Sequence, residues 1–343
     1  MINVIAKPAA SRYKAACVLA AILTCIAATW TIYAVEPKWA LFIVAGLVFP
    51  FAAIMTGDIR RFLISLLVFA IPLNADVNFF MHPSVGGADA VSFGLVDILL
   101  LALLAVTLLH SSGAKQVGTL RFYPAVMIPS LVLFGFYAVS LLAAQDLLWS
   151  SFDIINFSKA LLFFWLLANN IRDRHDLNLV VGFALSGLLI QNLLIYWQAA
   201  SPNASLVLQN MGLGAPAELS RFEMQASDLS RPGGTIGHCN HYARYVGLLV
   251  PIAIVHALTG IQKRKAFFYA LVAVSSVFAL ITTLTRSSWV GLLFSAVVIV
   301  LLLFLRHHFS FRVLRNIALA AVIFLAALAV YSKPVIHRIT ADD

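Results

Sequence analysis

Stretches of apolar residues long enough to cross a hydrocarbon layer of roughly 30 Å recur from one end of this chain to the other. They fall at 15–35, 39–56, 61–80, 91–109, 124–143, 151–169, 177–199, 237–258, 266–285, 287–305 and 315–332, about eleven helices of roughly twenty residues each. In lipid, backbone polar groups must be satisfied within the segment, so such stretches fold as helices. The chain is therefore read as an all-α polytopic membrane protein, one transmembrane helical domain over 1–343. The third stretch is the weakest: Pro72, Asn74, Asp76 and Asn78 interrupt it, and a kinked or partial span is expected there.

Composition closes the alternatives. With 62% hydrophobic and 11% charged residues, the chain cannot cover an aqueous surface. The net charge of +9 does not point to nucleic acid, because the basic residues come in twos and threes between apolar runs rather than as one stripe. Cys17, Cys25 and Cys239 form no disulfide framework. The first apolar stretch follows Lys7, Arg12 and Lys14, and it is too long for a cleaved leader, so it is expected to be retained.

The lysines and arginines set the orientation. With a cytoplasmic N-terminus, the inner segments carry Lys7, Arg12, Lys14, Arg60, Arg61, Lys115, Arg121, Arg172, Arg174, Lys263, Arg264, Lys265, Arg306, Arg312 and Arg315. The outer segments carry only Lys38, Arg221, Arg231, Arg286, Lys333 and Arg338. This imbalance is a positive-inside signature, and it places the C-terminus outside. Two outer connections are long, 74–90 and roughly 200–236, and long loops in compact chains tend to be functional or disordered. Internal repeats, paired interrupted helices, a phosphate-binding glycine loop and a dinucleotide fingerprint are all absent from the sequence.

Information concentrates where polar residues enter lipid. The densest place is RPGGTIGHCNHYARY, Arg231 to Tyr245. Gly233 and Gly234 allow close backbone approach, and Thr235 is expected to cap a helix beginning near Gly237. His238, His241 and Tyr245 follow at helical spacing, with Arg244 just beyond, so one polar face is expected to dip into the membrane. Arg244 is expected to face a wet cavity, the alternative being a side chain that snorkels to the interface. His238 and His241 read either as ligand contacts or as ordinary interfacial histidines. Zinc is disfavoured, since Cys239 projects away from His238 and no carboxylate is adjacent.

The second place is TTLTRSSW, Thr282 to Trp289, a tight turn holding Arg286 among hydroxyls. Such a turn resembles an anion-binding corner, against the alternative of a topological anchor with interfacial Trp289. Lys159, preceded by Asp153 and Asn156 in the sixth stretch, needs a partner, either another side chain or substrate. Arg231, Arg244 and Arg286 all fall on or just below the outer rim. Guanidinium forks there suit a lipid-attached diphosphate, whose headgroup is anionic and whose tail belongs in the bilayer.

The segments RPGGTIGHCNHYARYVGLLVPIAI, from Arg231, and TLTRSSWVGLLFSAVVIV, from Thr283, resemble the O-antigen ligase and polymerase family of bacterial envelope glycosyltransferases. Arg231, Gly234, Thr235, Gly237, His238, Asn240 and Ala243 match its first motif, and Thr285, Arg286, Ser287 and Gly291 its second. Cys239 stands where proline is frequent and Ile236 where an aromatic is frequent. The resemblance implies an inverting glycosyltransferase of the inner membrane that needs no metal or cofactor. A glycan would leave an undecaprenyl-diphosphate carrier for an acceptor hydroxyl on lipid A core, another glycan or a protein. Arg231 and Arg286 are the leading candidates for the catalytic cations that stabilise the departing diphosphate, and His238, Asn240, His241, Arg244, Thr285, Ser287 and Lys159 are candidate substrate contacts.

In the family a general base is assigned to a histidine in a large outer loop after a helix corresponding to 315–332. Here the sequence runs to Asp343, and 333–343 reads as the stub of that loop, so a C-terminally truncated chain is expected. His337 is its one histidine, without a matching motif. Ligase, exopolysaccharide polymerase and protein glycan ligase remain open alternatives. A transporter of a lipid-linked or anionic solute and a non-catalytic membrane scaffold are alternatives of other classes.

Overall fold

The computed structural model describes residues 57–80, 91–113, 120–201, 203–211, 213, 232–259 and 262–305, together with Ile26, Arg315 and Ala329 singly. The stretches expected at 15–35, 39–56 and 315–332, and the segment 333–343, lie outside the described residues apart from those single positions.

Helix α1, Ile59–Ala70, starts where the Asp58 carboxylate accepts from the Arg61 N–H at 3.1 Å. At 1.5 Å per residue its 12 residues reach about 18 Å, too short to cross the bilayer. The span expected over 61–80 is thus a partial one. Pro72 sits in a single 3-10 turn, Ile71–Leu73, and Asn74 at φ 44° turns the chain away. Two strands follow, β1 (Asp76–Phe79) and β2 (Val91–Gly94), paired antiparallel with Asp76 opposite Gly94. The long connection expected at 74–90 therefore has a hairpin at its two ends, and the stretch expected at 91–109 begins as strand. Helix α2, Leu95–Gly113, leaves β2 directly, and the Asp97 carboxylate accepts from the Gly94 N–H at 2.9 Å.

The remaining helices are α3 (Pro124–Ser140), α4 (Leu147–Asn170), α5 (Arg174–Ala200), the short α6 (Ala204–Asn210), α7 (Cys239–Thr259), α8 (Lys263–Thr282) and α9 (Arg286–Leu305). Caps set their starts: Pro124 opens α3, the Asp146 carboxylate accepts from the Leu148 N–H, and the Asp173 carboxylate accepts from the Asp176 N–H at 2.7 Å. Among the described residues six helices are long and apolar enough to cross a membrane, namely α3 with its following 3-10 turn, α4, α5, α7, α8 and α9. The protein is a helical membrane protein, and the exposed Val290, Leu293, Phe294 and Val297 of α9 are where a lipid-facing helix puts its bulk.

Two apolar cores share α5 and α1 as their boundary. One joins α5, α7 and α8 through Leu185, Leu188, Ile195, Tyr242, Val246, Val250, Val272 and Ala279. The other joins α1, α2 and α4 through Leu63, Leu67, Leu99, Leu103 and Leu166. Helix α1 lies close on α5 because Gly187 has no side chain: a Cβ there would meet the Phe69 carbonyl oxygen at 3.0 Å. At one end of this contact Arg60 and Arg61 converge on Asp176, only 1% exposed, at 2.9 and 2.8 Å, and Arg61 also reaches Asp173 at 3.0 Å. Arg121, Arg172, Arg174 and Lys263 to Lys265 lie at the same end of the bundle by connectivity. The turns before α7 and before α9 lie at the other.

Candidate functional site

Two short turns meet at that second end. In the first, Thr235 is fully buried in a 3-10 turn, Gly234–Ile236. Its hydroxyl donates to the Pro72 carbonyl at 2.8 Å, while the Gln191 amide donates to the Thr235 hydroxyl at 2.5 Å and to Pro72 at 2.7 Å. Gln191 Oε1 accepts from the Thr235 N–H at 3.1 Å. Two turns along α5, Gln198 brackets Gly234, accepting from its N–H at 2.8 Å and donating to its carbonyl at 3.3 Å. Gly234 is required here on two counts: its φ is +63°, and a Cβ would stand 2.4 Å from Gln191 Oε1.

The expectation that Thr235 caps the helix is corrected. Its hydroxyl is spent on Pro72, and α7 begins at Cys239, beyond Gly237 at φ +88°. His238 supplies the cap instead: Nδ1 accepts from the Asn240 N–H at 2.9 Å, which leaves the ring proton of the neutral imidazole on Nε2.

In the second turn, between α8 and α9, Leu284 is buried at φ +53°. A left-handed leucine costs on the order of 1–2 kcal/mol, and the Leu284 N–H bond to Ile281 and the packing of Leu284 on Ile281 hold it. This turn buries Thr283 and Thr285 and sets their hydroxyls 3.2 Å apart. The Thr285 hydroxyl then donates to Asn240 Oδ1 at 3.3 Å, joining the two motifs across 45 residues of sequence. Arg286, partly buried, is the first residue of α9. Trp289 Nε1, donating to the Leu280 carbonyl at 3.3 Å, ties α9 to α8.

Around this junction the His238 and His241 rings lie 5.0 Å apart, and His241, Arg244 and Ser287 are exposed. The Arg244 side chain is exposed and makes no hydrogen bond or ion pair with the described residues. Cys239 is buried, with Sγ 3.9 Å from both His238 Nδ1 and Asn240 Oδ1. Tyr245, on the same helix, packs instead against the α5–α7–α8 core. Arg231 lies outside the described residues. Lys159 is engaged elsewhere: it pairs with Asp97 at 3.0 Å and donates to the Ser92 carbonyl of β2. The partner sought for this lysine is a carboxylate of the bundle.

Sequence reasoning passed over the amides that hold the site. Gln191, Asn192 and Gln198 interrupt an apolar helix, a signal that polar residues in lipid carry by themselves. Asn192 is fully buried; its amide nitrogen donates to the Leu188 carbonyl and the Tyr242 hydroxyl, and its oxygen accepts from Ser276 N–H and the hydroxyls of Ser275 and Ser276. This ties α5, α7 and α8 together beneath the two turns. At the opposite end, Asp173, His175 and Asp176 bring ligand atoms within 4.8 Å of one another, but Arg60 and Arg61 already hold both carboxylates. The cluster is a structural ion-pair network.

No family model, curated protein or solved structure matches the chain.

Proposed function

We propose that this protein transfers a glycan from an undecaprenyl-diphosphate carrier to an acceptor hydroxyl at the outer face of the bacterial inner membrane, as O-antigen ligases do. The observation that carries the reading is the 3.3 Å contact between Asn240 and Thr285, which unites the two segments on which the family resemblance rests. Arg286 follows Thr285 directly, at the start of α9, where the helix N-terminus also favours an anion. The clustered basic residues of α1, α5 and α8 lie at the other end of the bundle, which supports the site end as the outer one.

In such a transfer, negative charge grows on the departing diphosphate, and fixed cations stabilise it more in the transition state than in the bound donor. Arg286 takes that role, and Arg231, which precedes the Gly234–Ile236 turn in sequence, is the second candidate cation. His238, with its ring proton on Nε2, acts as a hydrogen-bond donor to phosphate oxygen rather than as the base. Asn240 and Thr285 hold the two turns in register, and His241, Arg244 and Ser287 border the headgroup. The acceptor hydroxyl must lose a proton to a general base, and none of these groups is assigned that task.

The test is glycan transfer by the full chain in lipid nanodiscs supplied with an oligosaccharide on undecaprenyl diphosphate and a lipid A core or glycan acceptor. Transfer that falls strongly in Arg286→Lys, with insertion and melting unchanged, supports the reading, because lysine keeps the charge but loses the fork. Undiminished transfer in that variant rejects the role of Arg286.

A further inference from the structure

A cleft lies at the basic end of the bundle, far from the two turns. It opens between α5, α7 and α8 and has a volume of about 700 Å³. Its rim carries His175 from the first turn of α5, His256 from the last turn of α7, and Arg264 and Lys265 from the first turn of α8. Further along the helices its walls carry Leu179 and Phe183 on α5 and Phe268 on α8, beside Asn178 and Ser186, whose hydroxyl is turned to the Gly182 carbonyl at 2.8 Å. His256 is held in place by stacking on Tyr269, ring centroids 4.9 Å apart.

The charge at the rim is unbalanced. Lys263, Arg264 and Lys265 occupy the start of α8, where the helix dipole repels cations, and the first turn holds no acidic residue. The N-cap residue Gln262 makes no capping hydrogen bond with its side chain, so the first N–H groups of α8 also face outward. Among the described residues no carboxylate lines the cleft. Asp173 and Asp176, beside His175, are turned to Arg60 and Arg61.

We infer that this cleft binds an anionic glycerophospholipid, its phosphate at Arg264 and Lys265 and one acyl chain along Phe183 and Phe268. The apolar extension distinguishes a lipid from a free phosphate. Phe183 lies eight residues beyond His175 on α5, about 12 Å along the helix, a length that a headgroup alone leaves unfilled. The inference is independent of the glycan-transfer reading and concerns the opposite end of the molecule.

The experiment is native mass spectrometry of the full chain, with phosphatidylglycerol and phosphatidylcholine as probes at matched concentration. The wild type is expected to retain phosphatidylglycerol about tenfold more tightly than phosphatidylcholine. The double variant Arg264→Gln, Lys265→Gln, with unchanged melting, is expected to lose that preference, as two basic residues near an anionic lipid surface would supply a factor of this order. Phe268→Ala is expected to weaken phosphatidylglycerol while keeping the preference. Equal retention of the two lipids, a preference that survives the double variant, or displacement of the lipid by millimolar glycerol 3-phosphate overturns the inference, the last by showing a soluble phosphate site.

Discussion

The hydroxyl of Thr285 donates to Asn240 Oδ1 across 3.3 Å, so the turn that starts α9 is fastened to the first turn of α7. Neither residue is near the other in sequence, and each belongs to a different one of the two polar segments. If the contact positions Arg286, then Asn240→Ala and Thr285→Ala act on donor binding as one unit. A double-mutant cycle on undecaprenyl-diphosphate affinity is expected to give a coupling of about 1 kcal/mol, the usual net worth of such a bond. Purely additive losses contradict the coupling.

Gly234→Ala places a methyl group 2.4 Å from Gln191 Oε1 at a left-handed φ of +63°. The displaced amide would release both Thr235 and Pro72, so a loss of about 1–3 kcal/mol is expected, read as a lower melting temperature in detergent. Gly247→Ala is the control. A Cβ at that helical position meets nothing within 4 Å, and the substitution is expected to leave melting unchanged or raise it slightly.

Among the described residues Asp176 is the most buried acid at the basic end, and it accepts from Arg60, Arg61 and the Arg172 N–H. Asp176→Asn leaves Arg60 without its close carboxylate in a largely buried setting and is expected to cost about 3 kcal/mol. Asp173→Asn removes the exposed pair with Arg61 while its amide oxygen can keep the cap on the Asp176 N–H, and is expected to cost much less. Chemical denaturation of the two variants side by side checks the ranking.

The hairpin carries a pH dependence. Burial, with the Asp97 carboxylate nearby, pushes the Asp76 carboxyl above the ordinary carboxylate range, although Lys159 pulls it down. An acid whose folded pKa is raised favours the folded hairpin when protonated, and that contribution fades as pH rises through the window between the unfolded and folded values. Hydrogen exchange of the β1 and β2 amides, corrected for intrinsic rates, is therefore expected to show protection falling with pH in the wild type. Asp76→Asn is expected to flatten the profile, and an unchanged slope contradicts the assignment to Asp76.

The described spans were legible because lipid imposes one solution on a long apolar run. The expected 151–169, 177–199, 237–258, 266–285 and 287–305 appear as α4, α5, α7, α8 and α9 with ends shifted by a few residues. The polar interruptions at Pro72, Asn74 and Asp76 marked the partial span, but nothing in the local pattern showed that the chain beyond it pairs as strands. Asn240, Thr285 and Arg286 were legible as polar residues in expensive places. What holds the Gly234–Ile236 turn before them was not, because Gln191, Gln198 and Pro72 reach it across more than 35 residues of sequence. Thr235 followed the same logic: its composition suggested a local cap, and a distant carbonyl took its hydroxyl.

The most direct test of the account is the affinity of the full chain in nanodiscs for undecaprenyl diphosphate, measured for the wild type, Arg286→Lys and Arg286→Gln. Loss of a charge-assisted pair is expected to weaken binding about tenfold to a hundredfold in Arg286→Gln, with Arg286→Lys in between. Identical affinities in all three proteins, with melting unchanged, would contradict a diphosphate site at the α8–α9 turn.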